Sequence, residues 1–163
     1  MNLTDPLAEF RIESIFHPSD FSAASEVAFA HALKIALLTK ARLSMLHVAT
    51  EGSADWSDFP GVRDTLERWR LIPPGSPKSA VGNLGLEVSK VIAAAKDPVR
   101  ASLGFLAEHP ADLVVLAVHQ HQGRMRWFEK SVGEPIARGA GQMTLFIPHG
   151  MAGFVSQADG SVS

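Results

Sequence analysis

A chain of 163 residues has the length of one domain with one hydrophobic core. Its apolar content of 46 % is ordinary for a globular protein, and a net charge of -2 at pH 7 gives no support to nucleic-acid binding, which usually needs a basic excess. The sequence has no cysteine, which excludes disulfides and thiolate metal sites and fits a reducing compartment such as the cytoplasm. No stretch approaches the roughly 18 to 20 consecutive apolar residues of a membrane span.

The first predicted strand covers residues 13–17 and ends at a turn that contains Pro18 and Asp20. After the turn, apolar residues recur at steps of three and four. This spacing predicts a helix with a wide apolar face, and Ser22 or Ser25 is placed to cap it.

The rest of the chain continues the alternation of strands and helices. Further strands are predicted over residues 42–49, 86–92, 112–118 and 143–147, and further helices over 61–72, 97–109 and 132–138. This order predicts an α/β domain, residues 1–150, with an open parallel sheet and helices on both faces. Residues 151–163 are small and polar, and we expect them to form a flexible tail.

Ligands of such sheets bind beyond the carboxyl ends of the strands, where the strand order reverses. Three loops are expected to meet at this edge: those that follow His17, Val48 and Val118.

Several short motifs, in this order and spacing, resemble the universal stress proteins of the UspA type. Pro18-Ser19-Asp20 lies before a serine-capped helix, and Leu46-His47-Val48 ends the second strand. Asp97-Pro98 opens a later helix, and Ala111-Asp112-Leu113 begins an apolar strand. The resemblance extends over about residues 12–148.

The resemblance implies a Rossmann-like domain of the adenine nucleotide alpha hydrolase type, with five parallel strands in the order 3-2-1-4-5. It also implies a cytoplasmic, stress-associated protein that acts through interactions and is not an enzyme, any ATPase activity being slow and secondary. The expected partner is a second copy, paired through the last strand at Met143–Pro148, whose apolar edge would be a liability if left bare. Neither nucleic acid nor membrane is an expected partner.

ATP-binding members of this family carry Gly-x2-Gly-x9-Gly-Ser/Thr after the fourth strand. Glycine lets the backbone approach phosphate and turn its N–H groups toward the anion. Laid on this sequence without gaps, the pattern falls on Ala117, Gln120, Lys130 and Ser131, so that only the hydroxyl residue is kept. The resemblance thus gives these candidate nucleotide-binding residues: Pro18, Asp20, Val48, Ala117, Gln120, Lys130 and Ser131.

Three interpretations of the altered loop remain open. In the first, nucleotide binding is weak or lost, because Gln120 and Lys130 carry side chains where the backbone would have to approach phosphate. In the second, ATP or AMP binds by another route. Arg124, Arg126 and Lys130 would supply charge, and Ser131 a helix start.

In the second interpretation Asp20 would meet the ribose or a bridging Mg²⁺, although it could equally close the turn after the first strand by bonding its own backbone. In the third interpretation, imidazoles at strand ends hold Zn²⁺ or Ni²⁺. The candidates are His17, His119 and His121. We expect no metal, because the neighbouring His47 belongs to a motif that the family uses without one.

Overall fold

The computed structural model describes residues 11–121, 124–125, 135–149 and 153–163. The strands are β1 (Ser14–Pro18), β2 (Arg42–Ala49), β3 (Glu87–Ala94), β4 (Leu113–His121), β5 (Arg124–Met125) and β6 (Met143–His149). The helices are α1 (Ala23–Thr39), α2 (Val62–Arg68), α3 (Ser79–Asn83), α4 (Pro98–Glu108) and α5 (135–140), with a 3-10 turn at Trp56–Asp58. None of the helices in these ranges is long and apolar enough to cross a membrane.

Five strands form one parallel sheet in the order β3-β2-β1-β4-β6, which confirms the predicted order 3-2-1-4-5. The two-residue β5 adds a short antiparallel pairing at the end of β4. Buried side chains form one cluster on the face covered by α1 and a second on the face covered by α4. The near-continuous apolar character of β1 and β4 follows from this, because both faces of each strand are covered.

The amino end of the sheet is fixed by the carboxylate of Asp112. Its Oδ2 accepts hydrogen bonds from the backbone N–H groups of Glu13 at 2.8 Å and Ser14 at 3.1 Å. The acid therefore joins the start of β1 to the start of β4, 99 residues apart in the chain from Glu13 to Asp112. This contact gives a structural reason for the acid that precedes the apolar run of β4.

Both long helices begin as their sequences predict. The Ser22 hydroxyl accepts a hydrogen bond from the Ser25 N–H at 3.2 Å at the start of α1. At the start of α4, Asp97 accepts from the N–H groups of Val99 and Arg100, and Pro98 takes the first helical position. Each cap satisfies N–H groups that have no partner inside the helix.

The C-terminal segment differs from the flexible tail that its composition led us to expect. Its described part, residues 153–163, packs on α1 and α2, and we call it the strap. Val155 is 4 % exposed and belongs to the core on the α1 face. The small polar residues around it gave no periodicity that could indicate this packing.

We expect Ser22→Ala to lower the free energy of unfolding by about 1 kcal/mol, because it removes the cap of the longest described helix. Denaturant unfolding measures the change. Ser53→Ala, on the exposed loop after β2, is the control and should change stability by less than about 0.5 kcal/mol. Equal effects of the two variants would contradict the capping role.

Candidate functional site

The strand order reverses between β1 and β4, and these two strands separate toward their carboxyl ends. β1 pairs with β2 through Pro18, but it pairs with β4 only at Ile15 and Phe16. Connections on either side of such a reversal leave a crevice, which is where ligands of open α/β sheets bind. The candidate site is therefore the edge between the ends of β1, β2 and β4.

The imidazole of His17 forms the floor of this crevice and is fully buried. Its Nδ1 lies 2.9 Å from the carbonyl oxygen of Val115, the residue that follows the last β1–β4 pair. A carbonyl only accepts, so Nδ1 carries the proton and Nε2 is a bare acceptor. Nε2 has no hydrogen-bond partner among the described residues. Burial lowers the pKa of His17, and the ring is neutral at pH 7.

The loop after β1 is tied to the end of β2 by two hydrogen bonds. The Ser19 N–H donates to the Leu46 carbonyl at 2.8 Å, and Nδ1–H of His47 donates to the Ser19 carbonyl at 2.8 Å. The loop after His17 therefore contacts the end of β2. The third loop is predicted to follow Val118, and most of its residues after His121 lie outside the described ranges.

Asp20 is exposed at this edge and closes the turn that leads into α1. Its Oδ1 accepts the Ser22 N–H at 3.0 Å and the Ser25 hydroxyl at 2.6 Å. This is the Asx turn that was one of its two expected roles. The same carboxylate faces the edge where the other proposed role would place a ribose or Mg²⁺.

Phe21 is a residue of this edge that the sequence did not single out. Its backbone has a φ of 62°, which is uncommon for a side chain of this size. The ring stacks on His47 with centroids 3.7 Å apart and meets Phe59 edge-on at 4.9 Å. Phe21 thus covers the end of β2 near Val48 with an aromatic surface. Its position after Pro-Ser-Asp is the only sequence signal, and that signal does not give φ.

The fourth strand continues past Val118, the residue at which the sequence predicts its end. Ala117 pairs with Ile147, and β4 then runs to His121. Gln120 pairs with Met125 in the antiparallel register of β5. The prediction of a loop from residue 119 was wrong, because pairing with two later residues holds the backbone extended. Of the other candidates, Pro18 ends β1 and Val48 lies near the end of β2, whereas Lys130 and Ser131 lie outside the described residues.

Within the described ranges, no three His, Asp or Glu side chains gather as a metal site would require. His17 uses Nδ1 for a backbone carbonyl, and its ring is buried. The side chains of His119 and His121, the other members of the proposed metal set, are not among those the structure describes.

An open parallel sheet with its crevice at the reversal of strand order defines a Rossmann-like α/β protein of the class that binds small ligands at this edge. Residues 12–148 match the family described as "Universal stress protein family". The chain belongs to the universal stress protein family.

Solved structures of this family share the fold at low sequence identity. UspA from Lactobacillus plantarum superimposes with a TM-score of 0.54 at 19 % identity, over 85 % of this chain and 99 % of the other. A universal stress protein in complex with cAMP gives 0.53 at 19 % identity, over 85 % and 98 %. The Archaeoglobus fulgidus protein in complex with dAMP gives 0.51 at 18 %, over 85 % and 99 %. Among curated proteins, no sequence matches this one.

The neutral state of His17 predicts a pH dependence of stability. Burial lowers the pKa of His17 and of His31 below the ordinary 6.5, so each ring takes up a proton on unfolding when the pH is below 6.5. Their stabilising contribution is complete above pH 6.5 and is lost as the pH falls toward the folded values. Between its folded pKa and pH 6.5, each ring makes the free energy of unfolding increase by up to about 1.4 kcal/mol for each unit by which the pH is raised.

We expect His17→Asn to remove the share of this slope that His17 contributes, because the asparagine amide can still donate to the Val115 carbonyl but does not titrate. Urea unfolding at a series of pH values from about 7 to about 5 measures the slope. Gly104→Ala, in open space on α4, is the control and should keep the wild-type slope, because it neither adds nor removes a titratable group. An unchanged slope in His17→Asn would show that His17 is not a buried neutral group.

Proposed function

We propose that this protein is a cytoplasmic, stress-associated homodimer of the UspA type whose ATP binding is weak or lost, and that it acts by binding other proteins rather than by catalysis. The observation that carries the proposal is the path of β4. It continues as a paired strand through the positions where the first two glycines of the family's ATP pattern would fall.

A phosphate cradle needs several successive N–H groups that converge on one anion. Successive N–H groups of an extended strand point alternately to opposite sides, so they diverge. Residues 117–121 have this extended form, paired with β6 up to His119 and with β5 at Gln120 and His121. In addition, Ala117 and Gln120 carry a Cβ where glycine would allow close approach of phosphate.

Nucleotide binding through an altered loop is the second candidate function. Two relatives of the same fold were crystallised with cAMP and dAMP. Asp20 is exposed at the edge of the candidate site, where it could meet a ribose or a Mg²⁺ bound with ATP or AMP. In this case the protein would be an adenine-nucleotide sensor. Its phosphate contacts would come from the charges of Arg124, Arg126 and Lys130 and from the hydroxyl of Ser131.

Isothermal titration calorimetry separates the two functions. We expect no ATP binding in the low-micromolar range, because the N–H groups of residues 117–121 do not converge. Low-micromolar affinity for ATP or AMP would contradict the proposal and favour the sensor. In that event Ser131→Ala should weaken binding at least several-fold if the hydroxyl is part of the site, and an unchanged affinity would remove Ser131 from it.

The homodimer is proposed from the outer edge of β6. β6 pairs with β4 on one side, and no strand of the described residues pairs with its other side. Met143 is 48 % exposed and Phe146 is 41 % exposed on this edge strand. An exposed apolar edge invites pairing with another strand. A second copy of β6 would satisfy the backbone groups and bury both side chains, and Pro148 would end the pairing.

We expect a dimer in sedimentation at tens of micromolar, and a monomer after Phe146→Lys, because the lysine would place a charge in the shared edge. Leu38→Lys is the matched control. Leu38 is an exposed apolar side chain near the end of α1 and is not part of the edge strand, so its replacement should leave the dimer intact. A wild-type monomer, or a Phe146→Lys variant that stays dimeric, would contradict an interface through β6.

A further inference from the structure

The strap, residues 153–163, is closed on itself before it meets the rest of the domain. Val155 and Val162 form an antiparallel bridge, and the Ser163 N–H donates to the Phe154 carbonyl at 3.1 Å. Asp159 accepts from the N–H and the hydroxyl of Ser161, which lowers the pKa of its carboxyl to about 2. The strap therefore has hydrogen bonds of its own in addition to its contacts with α1 and α2.

One end of the strap is held by His31, a fully buried residue of α1. The Nδ1 of His31 lies 2.8 Å from the Val27 carbonyl, so Nδ1 must donate the proton. Nε2 is then a bare acceptor, and it takes the Val155 N–H at 3.2 Å. The ring of Phe154 meets the imidazole edge-on with centroids 4.6 Å apart. The two backbone partners together require a neutral ring with the proton on Nδ1.

The other end of the strap is held at α2. The carbonyl of Gln157 accepts from the indole N–H of Trp69 and from Nε–H of Arg68, each at 3.0 Å. Two glycines lie directly on the buried rings. A Cβ at Gly153 would overlap the imidazole of His31, and a Cβ at Gly160 would come within 2.5 Å of the Trp69 ring. The fit is specific, because these contacts need glycine at both positions.

We propose that the strap is a pH-sensitive cover of α1 and α2, docked while His31 is neutral and released when His31 takes up a proton. Protonation turns Nε2 from an acceptor into a donor that faces the donor N–H of Val155. The hydrogen bond is then replaced by a repulsion between two N–H groups, and a cation is left in a buried position.

No charged side chain offsets that cost in the described part of the molecule. Burial is the main cause that lowers the pKa of His31, opposed only by the Val27 carbonyl. Three charged groups of the elements that meet at the strap have partners of their own: Lys34 of α1 lies over the Trp69 ring, Arg68 of α2 donates to Gln157, and Asp159 of the strap accepts from Ser161. The others, Glu26 of α1 and Arg63, Asp64 and Glu67 of α2, do not contribute to the pKa shift of His31. A carboxylate beside the imidazole would have favoured the charged form, and none contributes to the shift.

The direction of the pH effect follows from the two states. With the strap docked, the pKa of His31 lies below 6.5; with the strap released, the ring reaches water and the pKa returns toward 6.5. Docking is thus complete above pH 6.5. Between that pH and the lowered value, the docking equilibrium weakens by about tenfold per pH unit.

Hydrogen exchange followed by NMR on the full chain tests the proposal. The two reporters are the Val155 amide and the Trp69 indole N–H, since both donate across the contact. The Val114 amide in the central sheet reports whole-domain opening. Corrected for the intrinsic rate, protection of both reporters should fall by about tenfold per pH unit below pH 6.5, and Val114, whose exchange needs opening of the whole domain, should stay better protected than either reporter at every pH. Protection that follows Val114 at every pH would overturn the proposal.

Two variants separate the proton effect from simple loss of packing. His31→Gln keeps an amide donor and an acceptor but does not titrate, and its strap should lose the pH dependence. Gly153→Ala should abolish strap protection at every pH, because the Cβ overlaps His31, and should leave Val114 protected. Gly104→Ala, in open space on α4, is the control and should match the wild type.

The same pH dependence in His31→Gln as in the wild type would overturn the role of His31. If His31→Gln does not fold, the proposal is tested by the pH profile of amide protection in the wild type and by the strap protection measured in Gly153→Ala. A Gly153→Ala strap that stays as protected as that of Gly104→Ala would overturn the docking itself.

Discussion

The hydrogen bond from His17 to the Val115 carbonyl is the contact on which the candidate site depends. The ladder between β1 and β4 ends at Phe16, and the imidazole takes the next carbonyl that the ladder would have used. Without a donor there, a buried carbonyl would lose its partner at the centre of the sheet. The same ring fills the floor of the crevice, so the position where open α/β sheets generally bind ligands is here also part of the core.

The residues around His17 extend this arrangement along the edge. Ser19 and His47 join the first loop to β2, and Phe21 stacks on His47 as a cover for the end of that strand. Asp20 is held in a turn by Ser22 and Ser25. Because the polar groups of this edge form hydrogen bonds with one another, fewer of them are available to bind a ligand. These contacts support the proposal that the protein acts through association.

Most of the fold could be predicted from the sequence because its determinants are local. Apolar periodicity gave the strands and helices, and Ser22 and Asp97 gave the helix starts, since a cap needs only its own first turn. Asp112 was singled out only by the family resemblance. The structure shows its physical role, because its carboxylate accepts hydrogen bonds from the backbone N–H groups of Glu13 and Ser14.

The features that the sequence did not reveal depend on distant partners or on backbone angles. The extension of β4 to His121 requires β5, two residues with no strand-like pattern of their own. The packing of Val155 requires His31, more than a hundred residues earlier in the chain. The left-handed φ of Phe21 is set by the turn around Asp20 and by the two aromatic rings that receive it.

The proposed function depends on the backbone of residues 117–121 forming a strand rather than a phosphate cradle. An NMR titration with Mg-ATP, followed at the backbone amides, tests this residue by residue. We expect the amides of residues 117–121 and of Asp20 to keep their chemical shifts up to millimolar nucleotide. Saturable shifts of these amides at micromolar ATP would show instead that nucleotide binds at this edge of the sheet.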